Sequence, residues 1–280
     1  KIAAEAALRG MVTAAAWSPF FIAFAIGQGF VGTQDSWTAI AIGGVTAILF
    51  AAVSLPVFNR SFSFAQLRLT FSCLKPILLR LLIVLGVVLL SAFVFNFTAL
   101  SAVVVMMPIL VAVQFIRYPA QIKLIIGETA TNMRTIADDI LIISMAMLIG
   151  YFATRTGAFT ALFSSLYDGT IPGWFALIAT PLGMMLASIF GVHPVISSTV
   201  FLAVFSSGHA DVHPALLMQA HLIGWGAGTM SSVASLSVIM GASLFRVRSR
   251  DLVLGVNLFA AFSYALVGGI ALSFINIMIF

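Results

Sequence analysis

The fold of this chain is decided by residues 191–245, which read GVHPVISSTVFLAVFSSGHADVHPALLMQAHLIGWGAGTMSSVASLSVIMGASLF. The stretch is apolar enough to lie in a bilayer, yet two clusters rich in glycine, proline and hydroxyl side chains interrupt it, at residues 191–199 and 224–235. Lipid cannot hydrogen-bond a peptide group, so irregular backbone at membrane depth persists only where it lines a protein cavity. Two such breaks close together predict a solute site between them.

The composition is typical of a polytopic α-helical membrane protein. Of the 280 residues, 62% are hydrophobic and 8% are charged, and the mean hydropathy is +1.18, which a soluble domain of this size does not tolerate. The apolar runs are long and continuous, which excludes a barrel of short alternating strands. The positive charges that give the net charge of +5 lie in short loops, so they indicate topology and no nucleic-acid partner. The lone Cys73 excludes an internal disulfide.

The apolar spans divide the chain into three predicted parts. They are residues 1–58, a broken helix and the helix that follows it; residues 59–136, a basic cytoplasmic linker and a scaffold helix pair; and residues 137–280. In the first part, Pro19 removes a backbone donor and clashes with the preceding turn, so the span over residues 10–30 should break near Ser18. In the second part, the linker is expected to end near residue 80 and the helix pair to cover residues 76–115.

The third part carries the two breaks. Its predicted elements are a span at 140–152, a re-entrant hairpin at 171–207, a broken helix at 214–245 and a final helix at 252–280. The hairpin is favoured because its second arm has about 14 residues, too few to cross a hydrocarbon core of roughly 30 Å. Its tip is expected at residues 191–199.

The loop charges fit one arrangement across the membrane. Cytoplasmic loops gather Lys and Arg, and the linker at 59–80 has four basic residues and no acid. Placing that linker inside puts the basic segments 117–134 and 246–250 inside as well, and it leaves the connection at 31–36, which has no basic residue, outside. A re-entrant hairpin and two full crossings satisfy this pattern equally.

Two distant segments can be superimposed at a constant separation of 214 residues. The matched pairs are Leu8 with Leu222, Gly10 with Gly224, Ser18 with Ser232 and Gly27 with Gly241. The loop charges direct the first segment outward and the second inward. Two copies of opposite orientation form an inverted repeat, which is typical of secondary transporters with a site at the repeat interface.

From about Asp139 to the end, the order of elements resembles the second half of the ion transporter superfamily, especially its divalent anion/sodium symporter branch. That order is a helix, the sequence TRTGAF, a hairpin with a Ser/Thr tip, a broken helix, a basic turn and a final helix. In that branch a Ser-Asn-Thr tip and a Gly/Thr/Pro-rich break hold substrate and sodium. Here Ser197-Ser198-Thr199 would be the tip, with Ser198 in place of the asparagine, and the break would be GAGTMSS at 226–232. Residues 1–55 would match the end of the first half, and we expect a preceding segment or a partner chain to supply the rest.

The predicted site has no fixed charge, because we expect no Asp, Glu, Lys or Arg in the cores of the helices that form it. An anion would be held by half-helix N-termini and hydroxyl groups, and a cation by freed carbonyls and hydroxyl oxygens. The predicted solute-binding residues are Ser197, Ser198, Thr199, Gly228, Thr229, Ser231, Ser18 and Pro19. The predicted cation-binding residues are Ser197, Thr199, Gly226, Thr229 and Ser232. The candidate proton carriers are His193, His221, Asp138 and Asp139.

Each of these residues also has a purely structural interpretation. Ser and Thr in membrane helices usually bond a carbonyl one turn back. His193 at a hairpin tip would cap backbone groups, and Asp138 and Asp139 would stabilise a helix N-terminus. His221 is the most deeply placed histidine by pattern.

The sequence therefore predicts a secondary active transporter that moves a small anionic solute by alternating access, coupled to sodium or protons. The alternative is a structural or pore-forming subunit of a larger complex. No nucleophile with a partner, phosphate loop or metal-ligand spacing is present in the sequence, so we expect no enzymatic activity, no cofactor and no metal beyond sodium. The expected partners are the solute, the lipid bilayer and a second copy or a partner chain, and the expected location is a bacterial inner membrane.

Overall fold

A computed structural model describes residues 1–32, 36–58, 63–95, 97–156, 161, 170–206 and 210–279. Within these ranges the fold is all-α apart from an isolated bridge between Ile171 and Ala210. The α-helices are α1 (Ile2–Ala15), α2 (Ile22–Val31), α3 (Ser36–Phe58), α4 (Phe64–Phe95), α5 (Ala99–Arg117), α6 (Ile122–Arg155), α7 (Gly173–Ile189), α8 (Pro194–Ser206), α9 (Pro214–Ser231), α10 (Leu236–Phe245), α11 (Ser249–Val253) and α12 (Val256–Ile279). A 3-10 helix, Pro119–Gln121, precedes α6.

Four stretches of the described helices are long and apolar enough to cross a bilayer. They are Ser36–Ser54 in α3, Phe71–Phe95 in α4, Leu100–Arg117 in α5 and Val256–Ile279 in α12. Helices α9 and α10 together also qualify, although the pair bends by 43° at a break. The chain is therefore an all-α, multi-pass membrane protein, which confirms the class predicted from its composition.

Two helices are longer than the sequence led us to expect. Helix α4 runs unbroken from Phe64 to Phe95 through Pro76, where we expected a linker to end and a span to begin. Helix α6 runs from Ile122 to Arg155, so it includes much of the segment that we expected to be a cytoplasmic loop. Hydrocarbon offers a peptide group no partner, so an apolar helix keeps its own hydrogen bonds and tolerates a single proline.

The chain forms two compact units. One contains Lys1–Arg60 and Ile143–Phe280, and the other contains Ser61–Ile142. In the second unit, α4 and α5 pack against each other, and Val88 and Ala102 are buried there. The first unit brings together the two parts of the chain in which the sequence predicts the broken helices and the hairpin.

The first unit is built around α9. This helix packs against α1, α2, α3, α7, α8 and α12, and nearly all of its residues are buried. Glycines allow the close approach: a side-chain carbon on Gly224 would lie 2.9 Å from Cα of Pro181, and one on Gly228 would lie 2.6 Å from Oγ of Ser188. Small residues let membrane helices pack at short distances. We predicted that these glycines break the chain. Instead, they let α9 pack closely against α7, and α9 remains helical to Ser231.

Both helices that the sequence predicts to be broken are interrupted in the structure. Residues 16–21 separate α1 from α2, and residues 232–235 separate α9 from α10. Helices α2 and α10 are each ten residues long and coincide at the separation of 214 residues. Each is followed by a residue with positive φ, Gly32 at 86° and Arg246 at 52°. The second halves of the two segments therefore share their helix boundaries, whereas α1 and α9 differ by two residues at each end at this separation.

A tight helical hairpin lies where the re-entrant hairpin was predicted. Helices α7 and α8 pack against each other and are joined by residues 190–193, in which Gly191 has a φ of 84°. Their 17 and 13 residues make helices of about 26 and 20 Å, both shorter than a hydrocarbon core of roughly 30 Å. The turn precedes Ser197, so the predicted Ser/Thr tip lies in the first turns of α8.

Candidate solute site

The elements that the sequence assigns to the site converge on α9. Helix α8 of the hairpin packs against both α2 and α9, and α2 itself packs against α9. On the other side of the first break, α1 packs against α9 and α10. Each broken helix therefore contacts the other, and the hairpin contacts one half of each.

His221 of α9 connects these elements. Its Nδ1 lies 3.0 Å from Oγ of Ser198 in α8, and its Nε2 lies 2.9 Å from the carbonyl oxygen of Ala23 in α2. A carbonyl only accepts, so Nε2 carries the proton, and in the neutral ring Nδ1 accepts from the Ser198 hydroxyl. His221 and Ser198 are both completely buried. The ring also meets Trp225 edge-on at 6.0 Å.

The other predicted hydroxyls of the hairpin bond carbonyls within their own helix. Ser197 Oγ donates to the carbonyl of Pro194 at 3.2 Å, and Thr199 Oγ1 donates to that of Val195 at 2.7 Å. Both side chains are buried. Ser198 is thus the member of the predicted tip that forms a hydrogen bond to another helix.

The predicted residues of the second break lie mostly in the last turns of α9. Thr229 Oγ1 donates to the carbonyl of Gly226 at 2.9 Å, and Ser231 Oγ lies 3.2 Å from that of Gly228. The interruption begins at Ser232, whose backbone is extended. Ser235 then caps α10, because its Oγ accepts from Val238 N at 3.2 Å and donates to the carbonyl of Thr229 at 2.6 Å.

The first break contains both residues predicted for it. Ser18 N donates to the carbonyl of Ala14 at 3.1 Å, and Ser18 Oγ accepts from Phe20 N at 3.4 Å. Pro19 lies between the helices, as expected for a residue without an amide proton. Helix α2 then starts at Ile22, and no side chain caps its N-terminus.

The remaining candidate proton carriers have separate positions. His193 lies in the hairpin turn, where its Nδ1 accepts from Val195 N at 3.2 Å and its ring meets Trp225 at 6.4 Å. Asp138 and Asp139 lie within α6, and their side chains fall outside the described part of the structure. The structure therefore brings His221 and Ser198 together, and the rings of His221 and His193 both contact Trp225.

The expectation that the site helices carry no charge in their cores is wrong for α1. We expected the first span to begin at residue 10, but α1 begins at Ile2 and includes Glu5 and Arg9, which are 6% and 2% exposed. Arg9 Nη1 donates to Asn257 Oδ1 of α12 at 2.8 Å. The spacing of four residues between Glu5 and Arg9, which places them on one helix face, is the signal that could have revealed this extension.

The chain was also compared with known proteins. No family model, no curated protein and no solved structure matches it. Its function therefore has to be inferred from its own residues.

Proposed function

We propose that the protein is a secondary active transporter that moves a small anionic solute across a membrane, coupled to sodium or protons. The observation that carries the proposal is the pair of broken helices: their second halves, α2 and α10, coincide at one separation in the chain, and the first broken helix packs against α9 of the second. Discontinuous helices in related segments are typical of transporters whose solute binds near the midplane. The basic loops favour opposite orientations of the two segments. The short helices of the hairpin, of 17 and 13 residues, favour a hairpin that enters and leaves on one side.

An anion would bind at the interrupted ends of these helices. Helices α2, α8 and α10 each begin inside the first unit, and the first amides of a helix have no partner within it. These amides carry a partial positive charge, so the uncapped ones would donate to an anion without a charged side chain. Val195 N of α8 and Val238 N of α10 already donate to His193 and Ser235. The hydrogen bond from Ser198 to His221 joins two of the helices that would move around the solute.

Coupling would act through the same contacts. Protonation of His221 at Nδ1 would make that atom a donor, so the Ser198 hydroxyl could no longer donate to it. The contact between α8 and α9 would then change with the charge of the His221 ring. The position of α2 would change as well, because the ring also bonds the carbonyl of Ala23. Uptake driven by a proton gradient would support coupling to protons, and uptake driven by a sodium gradient would support coupling to sodium.

A structural or pore-forming subunit is the second candidate function. It is favoured by the hydroxyls of Ser197, Thr199 and Thr229, which donate to carbonyls of their own helices, as they would in a purely structural role. A subunit of this kind would show no gradient-dependent uptake of its own.

Reconstitution into liposomes tests the proposal. Labelled small anions, tested one at a time, should accumulate only under an imposed sodium or proton gradient. Ser198→Ala and Thr229→Ala should each reduce uptake, whereas Ser91→Ala in α4, a buried serine bonded to the carbonyl of Val88, should not. Uptake that ignores both gradients would contradict the coupling, and normal uptake in both site variants would remove the proposed site. A complete absence of uptake across the set of anions would favour the subunit.

A further inference from the structure

Arg246 is the only residue other than glycine with positive φ in the described part of the chain, at φ 52° and ψ 46°. It follows α10 directly, where Arg246 N donates to the carbonyl of Ser243 at 3.3 Å and Val247 N donates to that of Ala242 at 3.0 Å. This pair of hydrogen bonds forms a Schellman motif, in which the left-handed position is usually glycine. Gly32, at the matching position of the first broken segment, also has positive φ. The second segment therefore carries an arginine where its backbone favours glycine.

The place of Arg246 in the chain needs a reason beyond its charge. A side chain on a left-handed residue is disfavoured, because its Cβ comes too close to the following carbonyl oxygen. A basic residue that only oriented the chain in the membrane could stand elsewhere in the same loop, since the charge bias is counted over whole loops. Strained residues persist where the surrounding structure fixes them, and they concentrate at functional sites. The strain therefore indicates a role for the Arg246 side chain at this particular place.

The connection that follows α10 lies at a boundary of the membrane. It covers residues 246–255 and joins the bent pair of α9 and α10, which together qualify as a span, to α12, which qualifies by itself. Leu244 and Leu254 beside and within it are 78% and 51% exposed, whereas Leu252 and Val253 are buried and anchor it to the core. Exposed leucines next to exposed arginines are typical of a surface that meets hydrocarbon and headgroups together.

Two arginines of this connection take part in no ion pair with any described residue. The third, Arg248, is bonded twice to Asp251, at 2.8 and 3.2 Å. Glu5, the other acid close to the connection, is 6% exposed and already in an ion pair. The two that remain are Arg246 and Arg250, and both are exposed. The connection thus presents two positive charges to an anionic partner from a backbone that is fixed to the core.

We propose that Arg246 and Arg250 form a binding site for the phosphate of an anionic membrane lipid. A guanidinium group binds phosphate oxygens through two parallel N–H donors, which lysine cannot do. The boundary of the membrane is where lipid phosphates lie, so charge and location both match this partner. The acyl chains of the bound lipid would cover the exposed side chains of Leu244 and Leu254.

Thermal unfolding of the purified full chain in a neutral detergent tests the proposal. Phosphatidylglycerol, which is anionic, and phosphatidylcholine, which has no net charge, are added separately at increasing mole fraction. A ligand that binds only the folded state raises Tm once its concentration exceeds Kd. We expect phosphatidylglycerol to raise Tm more than phosphatidylcholine. Arg246→Gln and Arg250→Gln should each raise the half-saturating fraction of phosphatidylglycerol about fivefold, which corresponds to about 1 kcal/mol for one basic residue near an anionic leaflet.

Arg246→Gly separates lipid binding from the stability of the turn. It removes the strain together with the charge, so Tm in detergent alone should rise while the response to phosphatidylglycerol weakens as in Arg246→Gln. A purely structural role of Arg246 does not predict these opposite changes. Lys123→Gln is the matched charge control, because Lys123 is exposed on α6, in a segment whose basic residues predict the same side of the membrane. It should leave the half-saturating fraction unchanged.

Four results would overturn the proposal. One is an equal rise in Tm with the two lipids. Another is an equal weakening by Lys123→Gln and Arg246→Gln, as expected of a diffuse attraction between all basic residues and the lipid. The third is the same rise in Tm with inorganic phosphate alone, which would assign the site to a soluble anion.

The fourth is an unchanged response to phosphatidylglycerol in Arg246→Gly, a variant that is expected to fold because glycine suits the left-handed position. The site depends on the membrane location of the chain and makes no use of the proposed solute site. Lipid binding without solute uptake would therefore contradict transport alone, and uptake without this lipid response would contradict the lipid site alone.

Discussion

Ser198 Oγ and His221 Nδ1 lie 3.0 Å apart, and this hydrogen bond joins the hairpin to the central helix of the first unit. Both side chains are completely buried, so neither can exchange the bond for water. Removal of one partner therefore leaves the other unsatisfied, which is the most costly way to lose a hydrogen bond.

Ser198→Ala should destabilise the protein by about 1–3 kcal/mol, because it leaves His221 Nδ1 without a donor. Ser197→Ala is the matched control, since Ser197 is also buried but donates only to a carbonyl of its own helix. Its effect should be smaller. Denaturant unfolding in detergent measures both, and equal losses in the two variants would contradict the special role of the bond between helices.

Gly43→Ala and Gly44→Ala should change stability in opposite directions. A side-chain carbon on Gly43 would collide with the carbonyl of Ala16, a backbone atom that cannot turn aside, whereas one on Gly44 meets nothing within 4 Å. We expect Gly43→Ala to cost about 1–3 kcal/mol through overpacking. Gly44→Ala should stabilise α3 by about 0.5–1 kcal/mol, because alanine loses less backbone entropy in a helix. Thermal unfolding of the two variants checks the prediction, and a destabilised Gly44→Ala would show that the open space is occupied.

The hydrogen bond from Arg9 to Asn257 should show coupling in a double-mutant cycle. Arg9→Leu and Asn257→Leu each remove one partner of a buried, charge-assisted bond, so each should cost about 1.5–3 kcal/mol. The double variant should cost less than the two single variants together, because it leaves neither partner unsatisfied. Strict additivity in unfolding measurements would show that the two residues contribute independently.

The ion pair of Arg248 and Asp251 should show a defined pH dependence. Arg248 Nε donates to Asp251 Oδ2 at 2.8 Å, and this hydrogen bond holds the pKa of Asp251 below its ordinary value. A pKa lower in the folded than in the unfolded state stabilises the protein above the unfolded value of about 3.9, and the stabilisation is lost as the pH falls through the folded value. Arg248→Ala should therefore raise the pKa of Asp251 toward its ordinary value in a carboxyl NMR titration.

Arg250→Ala is the control for that titration. Arg250 acts on Asp251 only through longer-range attraction, so its removal should raise the pKa less. The Arg248 side chain is exposed and that of Asp251 is partly exposed, and high salt should therefore reduce the difference between Arg248→Ala and the natural chain. A larger shift from Arg250→Ala than from Arg248→Ala would contradict the hydrogen bond as the main cause.

The sequence predicted those parts of the fold that depend on hydropathy and on proline. Helices α3, α5 and α12 coincide with long apolar runs, and Pro19 marks the first break, because both signals act locally. The structural role of the glycines could not be predicted from the sequence, because glycine occurs both at breaks in helices and where helices pack closely. Gly224 and Gly228 proved to pack α9 against α7, and only the structure separates these roles.

The candidate site was predictable only in part, because local signals reveal residue types but not their tertiary contacts. The hydroxyls near the hairpin could be found from composition, but whether each one bonds its own helix or a neighbour depends on tertiary packing. Ser198 bonds a residue 23 positions away, and Arg9 bonds one 248 positions away.

Helix α4 is 32 residues long, which corresponds to about 48 Å, well beyond a hydrocarbon thickness of roughly 30 Å. Its residues 68–80 include Arg68, Lys75 and Arg80, whose charged ends extend toward the headgroup region. Such hydrophobic mismatch is relieved by tilt and by local changes in bilayer thickness. Each basic residue near an anionic leaflet contributes about 1 kcal/mol of attraction to the membrane surface. The tilt of α4 should therefore depend on the anionic lipid content and on the thickness of the host membrane.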